Sequence, residues 1–389
     1  MRALILALAA LVGPAAAQDP LAVQAYDHFY NLEFDEAIQE FQRAIALDPK
    51  SPDLHNHLAE SIVFREMYRN GALESEMVSG NNSFLRRPKL NPSAETEKWF
   101  LDEVARAMEL SQARLQANPN DVSALYAQGI SYGLRCNYYW VVKKSWRDSL
   151  KDATSARRLH NRVSELEPGN VDARLVQGLH DYIVGSLPLV YRMLGFLAGI
   201  RGDKEKGIRT VQDVAQHGKY NRVDAEIFLC ALYRRENQPR TAIPLIQDLI
   251  RRYPRNFLLR LELAQMYSVA GDGATALSGL REVAALKTRH APGYDRVPWE
   301  SIYFHQGTVQ FWYRDLDAAL ENMKKVTAAE GDLDLNTGSF AYLRMGQIYD
   351  LTNRRALALA AYRKAIAYAP EAEAAQESKK YLSAPYRRM

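Results

Sequence analysis

The chain has 389 residues, 47% hydrophobic and 25% charged, with a formal net charge of +4 at pH 7. That is ordinary for a soluble protein, and the charge balance is too small for a nucleic-acid binder. After residue 17 no apolar run reaches the ~20 residues that cross a bilayer.

Residues 1–17 stand apart. Arg2 gives a short basic start, residues 3–12 an apolar run, Gly13 and Pro14 a break, and Ala15, Ala16 and Ala17 a small-residue cleavage site. They read as a secretory signal peptide, cleaved after Ala17, and they predict a periplasmic or secreted protein beginning at Gln18. No cysteine lies at the cleavage site, so no lipid anchor is expected. Loss of Arg2 lowers the net charge by one. Cys136 and Cys230 are read as core thiols rather than a disulfide, although an exported compartment permits one.

From residue 18 a spacing recurs. Ala25, Ala37, Phe41, Ala44 and Pro49 stand at positions 8, 20, 24, 27 and 32 of the first stretch, and Asp35 is placed to cap its second helix. A second stretch opens at 52 with Leu58 and Ala59, then gives way to a polar insertion near 70–92 and a long helix ending before Pro119. It contains Asn81, Asn82 and Ser83, a glycosylation sequon by pattern, to which bacterial export gives no meaning. A third starts near 122 with Gly129 and Tyr132 and carries an insertion at 137–149. A fourth starts near 171 with Gly178, followed by an apolar insertion at 185–202 and a helix that Asp203 can cap. Stretches from 223 and 257 keep the spacing without interruption: Cys230, Tyr233, Ala242, Ile246, Leu249 and Pro254, then Leu263, Ala264, Tyr267, Ala276, Leu280 and Val283. The seventh, from 300, has Gly307, Ala319, Met323 and Val326. The eighth, from 339, is the most complete, with Gly346, Tyr349, Ala358, Tyr362, Ala365 and Pro370. Residues 371–389 read as a capping helix and tail.

The physical sense of the spacing is a pair of antiparallel helices. A small residue at 8 lets the first helix approach small residues at 20 and 27 of the second. A bulky residue at 24 fills the remaining gap, and proline at 32 stops the second helix. Gly346 is therefore expected against Ala358. The residues just quoted resemble the tetratricopeptide repeat, a 34-residue helix-turn-helix unit. The resemblance implies an all-α fold: a right-handed superhelical solenoid of about eight repeats over 18–370, with three insertions. Residues 187–233, through Leu187, Pro188 and Leu189, Arg192 to Phe196 and Arg201 to Gly207, also resemble the inclusion-body-clearance family of such proteins. That family has no catalytic residues to carry over.

In this repeat, positions 2, 5, 9, 12 and 13 line the concave face. Here they include Tyr26, Phe29, Tyr30, Phe64, Tyr126, Tyr182, Phe304, Phe311, Trp312 and Phe340. The carboxylate-clamp pattern of Lys, Arg and Asn is missing, so chaperone-tail binding is not expected. A groove this apolar calls for an apolar partner segment or for cover by the chain itself. Phe304, Phe311, Trp312 and Phe340 are expected to form one patch. The arginine pairs at 86–87, 157–158, 234–235, 251–252 and 354–355 are read as solvating outer helix faces.

No catalytic motif appears. Glycines 195, 199 and 202 lack the spacing and the preceding strand of a dinucleotide loop. His55 and His57, two apart on a helix, point to different faces and do not make a metal site; they are read as polar helix surface. His305 is read as a packing histidine. The sequence therefore predicts a scaffold or adaptor for a protein or peptide partner, associated with an envelope complex, with no cofactor, metal, nucleic acid or transmembrane span. A carrier of an apolar small molecule is the alternative, and an enzyme assembled from distant repeats the third reading.

Overall fold

A computed structural model describes residues 20–69, 92–143, 145–187, 201–329 and 335–387, with single positions at 73, 189, 192 and 193. Residues 1–17, read from sequence as a signal peptide, the sequon and most of the insertions at 70–92 and 185–202 lie outside the described residues. The chain divides into two compact units, one holding the helices up to Leu232 and the other those from Tyr233 onward. All regular elements among the described residues are helical.

The N-terminal unit contains α1 (Pro20–Tyr30), α2 (Phe34–Leu47), α3 (Pro52–Arg69), α4 (Ala94–Ala117), α5 (Val122–Tyr138), α6 (Trp146–Leu166), α7 (Arg174–Gly185), α8 (Lys204–His217) and most of α9 (Arg222–Arg235). The C-terminal unit contains α10 (Pro239–Arg252), α11 (Phe257–Val269), α12 (Gly273–Thr288), α13 (Trp299–Trp312), α14 (Leu316–Ala328), α15 (Leu335–Leu351), α16 (Arg355–Tyr368) and α17 (Glu373–Ser383). Within each unit the helices pair in sequence, α1 on α2, α3 on α4, α5 on α6 and α7 on α8, then α11 on α12, α13 on α14 and α15 on α16. These are the helix-turn-helix repeats that the spacing implies. The final helix, α17, covers α15 and α16.

In five repeats the turn between the two helices is built the same way. A single residue adopts the left-handed conformation: Leu32, Asn237, Gly271, Arg314 or Asn353. The next amide then donates back across the helix end, Glu33 to the His28 carbonyl at 2.9 Å, Gln238 to Tyr233 at 2.7 Å, Asp272 to Tyr267 at 2.9 Å, Asp315 to Gln310 at 2.9 Å and Arg354 to Tyr349 at 2.8 Å. This closes orphan carbonyls of the first helix and reverses the chain. Asp121, Asp203, Asp272 and Asp315 then cap the helix that follows, each side chain accepting a backbone N–H three residues on. Asp35 is not such a cap. It lies inside α2 and its carboxylate accepts from Arg65 at 3.1 Å and Arg69 at 3.4 Å. Its side chain has moved from helix capping to linking α2 and α3.

Small residues set helix spacing, with one correction. A Cβ on Gly207 would strike the backbone of Gly178 and Tyr182, so α7 and α8 touch almost backbone to backbone. A Cβ on Gly346 would overlap the Tyr362 ring. Gly346 thus makes room for the bulky residue at position 24 rather than for Ala358. Ala358 is itself fully buried in the same cluster. The insertion at 137–149 is largely helical among the described residues: α5 runs on into a π-helical stretch, Tyr139–Lys143, and α6 starts at Trp146.

Candidate functional site

The aromatic residues assigned to the groove fall into both units and are considered within each. In the N-terminal unit Tyr26, Phe29, Tyr30, Phe64, Tyr126 and Tyr182 are all buried. Phe29 packs on Phe34 at 5.4 Å and on Phe64 at 5.2 Å between ring centres, and Tyr26 meets the Phe41 ring edge-on at 5.3 Å. The rings form core rather than an open trough, because residues from distant helices close over them.

Those residues are polar. The Tyr30 hydroxyl donates to Asp224 of α9 at 2.8 Å, across 194 residues of chain. Asn221 donates its side-chain amide to the Tyr126 hydroxyl at 2.5 Å and to the Asp172 carbonyl at 3.1 Å. The Asp172 carboxylate in turn accepts the backbone N–H groups of Lys219, Tyr220 and Asn221 and fixes the approach to α9. Between them sits one face of α3. Asn56 bonds to the Ala127 carbonyl at 2.9 Å and accepts from Ser131 at 2.7 Å, tying α3 to α5.

His55 and His57, read from sequence as polar surface, are both buried. From Pro52 to Phe64 helix α3 is enclosed on every side, and its polar residues there go inward with it. His55 pairs with Glu103 of α4 at 2.6 Å. His57 lies edge-on to Tyr26 at 5.1 Å, and its Nδ1 is 3.9 Å from Glu60. Burial lowers the His57 pKa to about 3, so its ring is neutral at neutral pH. Burial lifts the Asp53 carboxyl to about 7, with Arg114 opposing. Glu60 is held well above the usual carboxylate range by burial and by the charge of Asp224. The Tyr26 phenol is raised by burial and by Glu60, Asp224 and Asp53 together. Neither oxygen of Asp53 has a hydrogen-bond partner among the described residues. The chemistry of this cluster is proton retention: carboxyls held neutral by a dry environment. Among the described residues no group of three His, Cys, Asp or Glu is placed to hold a metal. A cleft between α3 and α4, lined by Ile62, Phe100 and Tyr138, measures about 10 Å³, no more than one water needs.

Neither cysteine is in a disulfide; Cys230 is buried, and Cys136 shares a 3.3 Å contact with Ser149. Arg234 does not solvate an outer face. It pairs with buried Glu262 at 2.8 Å.

The C-terminal unit divides its four rings. Phe311 is fully buried, with Phe340 packed on its cluster. Phe304 belongs to a neighbouring cluster around Met323, Val326 and Ala341, and Met345 touches both. Trp312 is 44% exposed. It stands edge-on to Phe311 at 5.3 Å, and the Arg344 guanidinium of α15 lies 4.3 Å from the Phe311 ring centre and 5.0 Å from that of Trp312. The single patch expected from sequence is therefore a core ring, two half-buried rings and one exposed ring clamped by a cation. The position rule names the rings; it misses Arg344, the buried carboxyls Asp53, Glu60 and Asp224, and Asn221. The one signal for Asp53 and Glu60 was the unusual density of polar residues along α3.

Two family models match the chain: a TPR repeat over residues 31–62 and a tetratricopeptide repeat over residues 341–371. Among curated protein sequences none matches. Among solved structures, the Cut9–Hcn1 hetero-tetramer of APC/C is similar over 96% of this chain, at 15% identity and a TM-score of 0.52. The chain spans 57% of that protein's length. The human IFIT1 dimer with m7Gppp-AAAA is similar over 93% of this chain and 79% of its own, at 14% identity and a TM-score of 0.47. A tetratricopeptide repeat protein from Parabacteroides merdae is similar over 81% and 93%, at 13% identity and a TM-score of 0.32. At 15% identity the Cut9–Hcn1 likeness bears on the fold alone.

Proposed function

This chain is a tetratricopeptide-repeat protein, and from that premise we propose that it is an exported scaffold holding an apolar segment of a partner protein on the α13–α15 face of its C-terminal unit. The observation that carries this reading is Trp312. It is a large ring, 44% exposed, held in place by Phe311 below and Arg344 beside it. A ring already fixed by packing loses little rotamer freedom when a partner covers it, which is the economy that makes aromatic residues and arginine dominant in interfaces. No helix among the described residues is long and apolar enough to cross a membrane.

The test uses the partner's own capture. Trp312→Ala is expected to leave the fold intact, because the ring is partly exposed, and to weaken capture from an envelope fraction at least about tenfold, since truncating a central anchor costs about 2 kcal/mol or more. The complex should survive about 0.5 M salt, because apolar burial is not screened. A partner retained in full by the variant removes this face from consideration. Collapse in salt transfers the contact to the basic pairs. Export is checked separately: sequencing of the mature N-terminus should begin at Gln18 in a non-cytoplasmic fraction, and retained Met1 in the cytoplasm overturns it.

A further inference from the structure

The ring of Phe311 already has an occupant beside it. After α17 the chain turns extended at Ala384 and returns to the same face. Tyr386 places its ring 6.3 Å from Phe311 and edge-on to Tyr381 at 5.2 Å. Its backbone N–H donates to the Asp350 carboxylate at 2.8 Å. Ala384, Pro385 and Arg387 on either side are exposed. The segment is therefore held by one half-buried aromatic side chain and one backbone hydrogen bond. That is how an extended peptide with a single anchor sits on a helical surface.

Two features make this occupant exchangeable. Asp350 is fully buried, and it also accepts from Arg355 at 3.0 Å and from the Tyr362 hydroxyl at 2.8 Å. Both bonds remain when Tyr386 leaves, so its departure strands no buried charge. Arg355 also bonds to the Tyr381 and Leu382 carbonyls at 2.7 and 3.1 Å, which secures the end of α17. The end of the helix therefore stays anchored when the four residues after it leave. Pro385 fixes its own φ and restricts Ala384 to extended backbone, so the segment is shaped for docking before it docks.

We infer that residues 384–387 are a displaceable strap: Tyr386 occupies in cis the ring site beside Phe311 that an extended, tyrosine-bearing segment of the partner takes when it binds. This rests on the reading of the α13–α15 face as a partner site and adds its regulation and the form of its ligand. The strap lowers apparent affinity by the fraction of time it stays docked, and a partner must outcompete it.

The probe is a fluorescent peptide of residues 382–389 titrated in trans, read by anisotropy. The chain lacking 384–389 should bind it at least tenfold more tightly than the full chain, and the full-length Tyr386→Ala variant should gain the same binding. A peptide carrying alanine in place of Tyr386 should not bind. The point variant keeps the test decisive if the deletion disturbs folding. Equal binding to full-length and opened chains, or no binding to either, overturns the strap. Trans binding together with full partner capture by Trp312→Ala upholds the strap and rejects the partner reading. Loss of capture by Trp312→Ala without trans binding does the reverse.

Discussion

Replacing Phe311 with alanine is expected to cost the C-terminal unit about 3–5 kcal/mol, the usual range for a fully buried phenylalanine. The ring has no exposed surface and lies in one cluster with Leu320, Leu343, Ile348, Tyr349 and Tyr362, which come from α14, α15 and α16. It also carries Arg344 above it and Trp312 and Tyr386 at its sides. Removing it empties a space bounded by three helices and releases a guanidinium from its ring. Because repeats couple mainly to their neighbours, the loss should centre on α13 to α17. Amide hydrogen exchange resolves this: protection should fall in those helices and persist in α1 to α8. Unchanged protection across α13 to α17 would mean that Phe311 is not the centre of that core. The neighbouring Trp312→Ala change, at a half-exposed ring, should affect stability far less, so the two variants separate packing from binding.

The second large effect is electrostatic. Lifting the Asp53 carboxyl from 3.8 to about 7 corresponds to roughly 4 kcal/mol against its ionised form. The start of α3 favours a negative charge there by only about 0.3–1 kcal/mol, so burial wins. Folded Asp53 and Glu60 keep protons that the unfolded chain releases above about pH 4, and their contribution to stability is lost as pH rises. His57 and His160 act in the opposite sense. Burial lowers them to about 3 and about 4, so the unfolded chain binds protons that the folded chain does not, and stability rises with pH up to about 6.5. From about pH 4.5 to 6.5 the two pairs oppose each other. Above that the histidines are neutral in both states and the carboxyls alone set the slope. The N-terminal unit should therefore weaken from about pH 6.5 through 7 and beyond, Glu60 extending the window upward. Asp53→Asn should gain on the order of 2–4 kcal/mol at about pH 8.5, the lower figure allowing for an amide without a partner, and little near pH 4. Exchange of the α3 amides, corrected for intrinsic rates, reads both effects. Equal α3 stability at both ends of that window in the native chain, with no gain from Asp53→Asn, would show that the carboxyls are ionised and compensated.

The two carboxyls and the Phe311 ring were legible from sequence to different degrees. The position rule picked out Phe311, Trp312 and Tyr30 as one kind of residue, since each follows the repeat's phase. It had no access to what faces them. Trp312 is exposed, Phe311 is covered by Tyr386 and Arg344, and Tyr30 is met by Asp224. His55 and His57 read as polar helix surface because most helices have a wet side. Over residues 52–64 helix α3 has none, and that follows from the company of α2, α4 and α5 around it.

By itself the sequence determined the repeat. Small residues, a bulky filler and a terminal proline at fixed spacing act within about thirty residues, where chain connectivity already holds the two helices together, so local chemistry suffices to specify their pairing. Only the tertiary structure decided which polar groups are dry and which rings are open. Those properties depend on contacts between residues as far apart as Tyr30 and Asp224, and on a tail that returns to Phe311 from beyond the last repeat. Burial is a sum over neighbours from the whole unit, and no local spacing encodes that sum.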